Sequence, residues 1–87
     1  MNAHLDGNVL AGALGEFFTV DITGATGQCV SCGTAGAVGQ ARVYADAPGM
    51  VARCPACDEV LLRLVRAPDR AWLDLRGLRY LEVQLPG

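Results

Sequence analysis

Apolar residues recur near every third or fourth position across residues 8–18, where Val9, Leu10, Leu14, Phe17 and Phe18 predict a short amphipathic helix. Asp6 or Asn8 stands where a capping side chain is wanted. Gly12 and Gly15 each weaken such a helix by roughly 1 kcal/mol relative to Ala, so it needs a surface to pack on. That surface is either the rest of this chain or another protein. Residues 19–23 then read as extended, and 24–28 as a flexible lead into a cysteine-bearing turn. Beyond it the period switches to two. Residues 40–46 predict a strand with Val43 and Ala45 on one face and Arg42, Tyr44 and Asp46 on the other. Ala47-Pro48-Gly49-Met50 has Pro and Gly where a type II turn requires them, and residues 51–54 run back from it. Residues 59–66 form the strongest pattern, Val60, Leu62 and Leu64 alternating against Leu61, Arg63 and Val65. Ala67-Pro68-Asp69-Arg70 suits a type I hairpin turn, after which residues 71–75 return with Leu73 inward and Trp72 on the opposite side. Residues 76–85 fit either a helical turn or a last strand.

The chemistry lies between these elements. Cys29-Val30-Ser31-Cys32-Gly33 and Cys54-Pro55-Ala56-Cys57-Asp58 hold all 4 cysteines of the chain, with 21 residues between the pairs. Two C-x-x-C turns at such a spacing are the signature of one tetrahedral four-thiolate metal site, with Cys29, Cys32, Cys54 and Cys57 as ligands. Four protein ligands fill the coordination sphere and leave no position for water or substrate, so the pattern points to a structural or electron-carrying ion. Zn2+ is the first expectation and Fe its competitor, because sulfur softness alone does not separate them. Two knuckles, a hairpin between them and a following hairpin describe a small, mainly-β, zinc-ribbon-like antiparallel sheet with a short N-terminal helix. Within one compact domain, residues 1–25 form the helix and extended leader and residues 26–87 the ribbon.

At 87 residues a hydrophobic core alone is marginal. Structural zinc contributes on the order of 10–16 kcal/mol at neutral pH, so metal removal is expected to unfold at least residues 26–75. The net charge is −2, but residues 1–41 carry only acidic side chains, whereas all 7 basic residues, every one an Arg, lie in residues 42–79. That mild basic excess falls short of the dense positive surface needed for nonspecific nucleic-acid binding. No apolar run is long enough to span a membrane. A basic segment followed by a hydrophobic stretch is also absent from the start, so a cytoplasmic protein with reduced thiols is expected. Disulfide pairing is the alternative in an oxidising compartment.

No catalytic constellation emerges: Ser31 lies inside a metal turn with no histidine to activate it, and His4 stands outside any ligand spacing. A non-enzymatic role follows as the expectation. Arg53 abuts Cys54, where it either softens the charge of a four-thiolate site or is simply a solvated strand residue. Trp72 shares a strand face with Arg70 and Asp74, as an interface anchor would, unless the N-terminal helix covers it. Trp72, Tyr44 and the apolar helix face of Leu10, Leu14 and Phe17 are the candidate contact points for a protein partner. The hydrophobic fraction of 52% exceeds what a flat ribbon readily buries, which favours an interface with a larger enzyme or a second copy.

Two resemblances bear on this reading. The strings C-x-x-C-Gly and C-Pro-x-C resemble the iron-binding turns of rubredoxins, which would imply a one-electron carrier. The likeness covers some nine residues, and Asp58 stands where rubredoxins usually have Gly. Over nearly the whole chain, His4-Leu5-Asp6-Gly7-Asn8, Leu10-Ala11-Gly12, Cys54-Pro55-Ala56-Cys57-Asp58-Glu59-Val60-Leu61 and Asp69-Arg70-Ala71-Trp72-Leu73-Asp74-Leu75-Arg76-Gly77 resemble an actinobacterial family of small proteins of unassigned function. Members of that family resemble zinc ribbons, which implies the same four cysteine ligands. The resemblance also implies an accessory subunit beside an oxidoreductase.

Overall fold

The computed structural model describes residues 5–15, 22–46 and 49–85. Among these residues, eight strands form two antiparallel sheets. β1 (Leu5–Asp6), β4 (Arg42–Asp46), β5 (Gly49–Arg53), β6 (Val60–Ala67) and β7 (Arg70–Asp74) make a five-stranded sheet in the order β1-β4-β5-β6-β7. β2 (Thr26–Cys29), β3 (Ala35–Ala37) and β8 (Leu78–Glu82) make a three-stranded one in the order β3-β2-β8. The single meander expected over the ribbon is therefore split. Residues 24–28, expected as a flexible lead, include most of β2, the central strand of the smaller sheet. The ambiguous residues 76–85 resolve into a turn at Arg76-Gly77 followed by β8, which pairs with β2.

The two-residue period holds where it was strongest. Leu62 and Leu64 of β6 are buried and register with Ala52 and Met50 of β5. Ala67 pairs with Arg70 across Pro68-Asp69, so this hairpin closes where the sequence puts it. The hairpin between β4 and β5 differs. Asp46 pairs with Gly49, which makes Gly49 the first residue of a strand. Gly33 is the glycine that carries a positive φ among those described, so Gly49 does not occupy the left-handed position of a type II turn. Glycine is required there for a different reason: a Cβ on Gly49 would collide with the Leu64 carbonyl oxygen of β6.

The helix is shorter than its apolar pattern. A 3-10 turn at Gly7–Val9 leads into α1 (Leu10–Leu14), and the Asp6 carboxylate accepts the Asn8 amide at 2.8 Å to cap that turn. Gly15 follows, its amide donating to the Ala11 carbonyl at 3.0 Å. Phe17 and Phe18, the end of the expected helix, lie outside the described residues. Ile22 and Thr23, expected as extended, instead open a second 3-10 turn, Ile22–Gly24.

Leu10 and Leu14 were expected to offer a face to a partner, and here the structure corrects the sequence. They are 0% and 2% exposed and sit in one core cluster with Ile22, Val38, Val43, Leu62 and Leu64. Burying each leucine contributes about 1.5–3 kcal/mol, which outweighs the helix-weakening glycines. The helix packs on its own chain, β1 pairs with β4, and the N-terminal segment is built into the core.

Candidate metal centre

Each cysteine pair caps a hairpin, and the two hairpins belong to different sheets. Cys29 ends β2 and Cys32 lies in the loop joining β2 to β3, whereas Cys54 and Cys57 lie in the loop joining β5 to β6. The four sulfurs converge to within 4.8 Å of one another. Cys29 Sγ lies 3.7 Å from Cys57 Sγ, and Cys32 Sγ lies 3.7 Å from Cys54 Sγ, so each knuckle's sulfurs approach those of the other knuckle. Metal–sulfur bonds of about 2.3 Å place tetrahedral ligands about 3.8 Å apart, so this arrangement can hold one metal ion. All four cysteines are free thiols, which removes the disulfide alternative from this structure.

Both knuckles use the same backbone device. In the first, the Gly33 amide donates to the Cys29 carbonyl at 2.9 Å and the Cys29 amide donates to the Thr34 carbonyl at 3.0 Å. In the second, the Asp58 amide donates to the Cys54 carbonyl at 2.8 Å and the Cys54 amide donates to the Glu59 carbonyl at 2.8 Å. The residue after each second cysteine turns the chain through the left-handed region, with φ of 79° at Gly33 and 67° at Asp58. Asp tolerates that region better than most side chains because its short polar group bonds locally. The departure at Asp58 from a rubredoxin-like glycine thus preserves the turn. The Ala56 amide also points at Cys54 Sγ, at 3.4 Å, as an amide stabilising a thiolate would.

Cys29 and Cys54 are buried, Cys57 is half-buried and Cys32 is exposed, so one side of the centre meets solvent. Hydrogen bonds from Thr34 pull the Cys32 thiol down to about 6. At Cys57 a hydrogen bond from the Glu59 backbone favours the thiolate, but desolvation and the neighbouring Cys29, Cys32 and Cys54 sulfurs outweigh it and push the thiol up to about 12. Like charges this close cannot all develop by themselves, and a cation among them is what lets four thiolates coexist.

Two further contacts support the knuckles, one of them from the Arg53 that the sequence places beside Cys54. Arg53 donates from Nη1 to the Asp58 carbonyl at 2.9 Å, bracing the second knuckle, with its guanidinium 6.0 Å from the centre of the Tyr44 ring. Gly77 couples the knuckles' two sheets: its amide donates to the Leu61 carbonyl of β6, and its carbonyl accepts the Val30 amide of the first knuckle, both at 3.1 Å. A Cβ on Gly77 would collide with the Val60 carbonyl oxygen, so the close approach depends on glycine. The turn signal at Arg76-Gly77 marks the place but not the partner.

The chain belongs to DUF6510, a family of unknown function. The family model matches residues 1–86. No curated protein matches the chain, and no solved structure does. Membership therefore identifies relatives without assigning chemistry, and the cysteine cluster remains the feature with a chemical meaning. Among the described residues, no helix is long and apolar enough to cross a membrane.

The remaining candidates separate by sheet face. Val43, Ala52, Leu62 and Leu64 face the core, whereas the register Tyr44–Val51–Arg63–Asp74 and the pair Val65–Trp72 lie on the opposite face of the five-stranded sheet. Tyr44 and Trp72 therefore share a face, three strands apart. Trp72 is 54% exposed, and α1 lies on the other side. Phe17 lies outside the described residues.

Proposed function

We propose that this protein is a non-enzymatic, zinc-stabilised adaptor that docks on a partner protein, as an accessory subunit of a redox complex. Cys29, Cys32, Cys54 and Cys57 hold the ion, which locks the two sheets together. Tyr44 and Trp72 contact the partner. The observation that carries this reading is the convergence of four sulfurs, two from each sheet, at tetrahedral spacing. Four thiolates close the sphere around an ion, which suits a structural role.

Large aromatic side chains with arginines around them are the usual anchors of protein interfaces. On the face opposite the core, the sheet register groups Tyr44 and Trp72 with Val51, Val65 and Arg63, and Arg42 pairs across to Arg53 beside them. Asp74 holds Arg76 and stands opposite Arg63, so the positive charge here is partly neutralised. That favours a protein surface over a polyphosphate as the partner.

The test has two parts. Metal analysis of protein purified from its source organism without added metal is expected to give one zinc per chain. One iron, with colour that bleaches reversibly on reduction, would replace the adaptor with a rubredoxin-like electron carrier. Affinity isolation of the tagged chain at native expression is expected to recover a defined protein that Trp72→Ala and Tyr44→Ala both release while metal content stays unchanged. A partner retained by both variants, or no partner at all, would overturn the docking face.

A further inference from the structure

Where β7 ends, the larger sheet opens into a groove. Pairing between β6 and β7 stops at Arg63–Asp74, whereas β6 extends back to Val60. The register of β5 with β6 shifts in the same place, from Ala52–Leu62 to Arg53–Val60, which makes Leu61 the extra residue of a bulge. Bulges bend a strand and re-aim its side chains. The chain leaves β7 through Arg76, and the Gly77 amide then donates to the Leu61 carbonyl at 3.1 Å. Between these segments lies a space of about 250 Å3 lined by Val60, Leu61, Arg63, Asp74, Arg76 and Gly77.

The charges in this groove do not cancel. Asp74 is occupied by Arg76 alone: Oδ1 accepts from the Arg76 amide and Nε, both at 3.0 Å, and Oδ2 accepts from Nε at 3.0 Å and Nη2 at 2.6 Å. A carboxylate offers about four lone-pair sites, so Asp74 has none left for a second guanidinium. Arg63 stands opposite Asp74 in register, is exposed, and has no hydrogen bond or ion pair among the described residues. Arg76 keeps its Nη1 hydrogens, on a side chain that is 90% exposed. Two guanidiniums with donors to spare therefore line one groove beside a single carboxylate, which leaves one positive charge unmatched.

We propose that this groove receives an Asp or Glu side chain of the partner protein, its carboxylate held between the Arg63 and Arg76 guanidiniums. This rests on the adaptor reading in taking a protein as the partner, and it gives that partner a chemistry. Charge complementarity selects the occupant. One carboxylate neutralises the unmatched charge, whereas a doubly charged phosphate would exceed it and lie against the ionised Asp74. The neighbouring contact is apolar: the Val65–Trp72 pair follows Arg63–Asp74 two residues along the same face, a step of about 6.8 Å. An extended partner segment with its acid in the groove lays the residue two positions away on Trp72. The surface thus selects an acidic residue spaced by two from a large apolar one.

To test this, the metal-loaded, 15N-labelled chain is titrated with acetyl-Leu-Thr-Glu-Thr-Leu-amide and with its Glu-to-Gln counterpart, following the arginine Nε–H signals and the Trp72 indole. The Arg63 and Arg76 signals are expected to shift with the Glu peptide, which binds about fivefold more tightly than the Gln peptide, the ratio of an exposed ion pair. Arg63→Gln alters an exposed strand residue, so fold and metal content persist while that preference disappears. Arg79→Gln makes the same charge change on β8, outside the groove, and keeps the preference. Equal affinity for both peptides, a preference retained by Arg63→Gln or lost equally in Arg79→Gln, or inorganic phosphate binding at Arg63 more tightly than the Glu peptide would overturn the proposal. A partner that Trp72→Ala releases and Arg63→Gln retains would also overturn it, while leaving the docking face standing. A peptide preference as expected, with no partner recovered, would instead overturn the adaptor reading and not the groove's selectivity for an acid.

Discussion

At the scale of single residues, the metal knuckles depend on two left-handed positions, one occupied by the residue suited to it and one by a compromise. Gly33 meets no steric cost at φ 79°, whereas Asp58 holds φ 67° with a Cβ. A β-branched side chain would find that region costly, by roughly 1–2 kcal/mol. Asp58→Val is therefore expected to lower the thermal midpoint of the metal-loaded protein by about 4–8 °C per kcal/mol lost, and Asp58→Gly to hold or raise it. Differential scanning calorimetry of the three proteins checks this; an unchanged midpoint in Asp58→Val would show that the turn is not under backbone constraint. The Arg53 bond to the Asp58 carbonyl does not involve the substituted side chain, so the comparison isolates the backbone. The need for a turn residue after each second cysteine could be read from the C-x-x-C-Gly string. That Asp58 does the work of a second glycine could not, because a side chain's tolerance of positive φ depends on its surroundings.

Among elements, the link between β7 and β8 carries the chain from the larger sheet to the smaller one, and its geometry is electrostatic. The Arg76 side chain donates to both Asp74 carboxylate oxygens, and the Arg76 amide donates to Asp74 Oδ1 at 3.0 Å. These bonds, with the charges of Arg76 and Arg63, pull the Asp74 carboxyl down to about 2 from an ordinary value of 3.8. A depressed carboxyl contributes stability above its unfolded value and loses it as pH falls through its folded value. The contribution of Asp74 should therefore be complete above about pH 4 and fade toward pH 2. Carboxyl titration by NMR is expected to place the Asp74 midpoint near 2, and Arg76→Ala to move it back toward 3.8. A midpoint that stays low in the variant would reject Arg76 as the cause. The strand periods announced β4 to β7 because each alternates apolar and polar side chains against a half-buried surface. β2 and β3 escaped notice for a plain reason: Thr26-Gly27-Gln28 and Ala35-Gly36-Ala37 contain no large apolar residue, so their pairing leaves no periodic trace.

Across the whole molecule, the four clustered sulfurs come from two sheets that also share an apolar core and the Gly77 staple. Because one knuckle comes from each sheet, metal binding is folding free energy for their union. Chelation at neutral pH is expected to release the three-stranded sheet first: amides of residues 26–29, 35–37 and 78–82 should lose exchange protection before those of β5 and β6. Trp72 is already solvent-facing, so its fluorescence should shift little during that step. Hydrogen exchange followed by mass spectrometry tests the order. Simultaneous loss across both sheets would show a single cooperative unit, and no loss would show that the metal is dispensable for the fold.

The sequence by itself determined the candidate ligand set, the central hairpins and the position of the helix, since each is written in local spacing: two residues for a strand, three or four for a helix, C-x-x-C for a knuckle. The tertiary structure alone decided that the knuckles lie in different sheets, that Leu10 and Leu14 face inward, that Tyr44 and Trp72 share one face and that Gly77 ties the sheets together. These depend on which distant surfaces bury one another. Burial is collective: a leucine's apolar character states that it seeks a covered surface, and only the assembled sheets show which surface is within its reach.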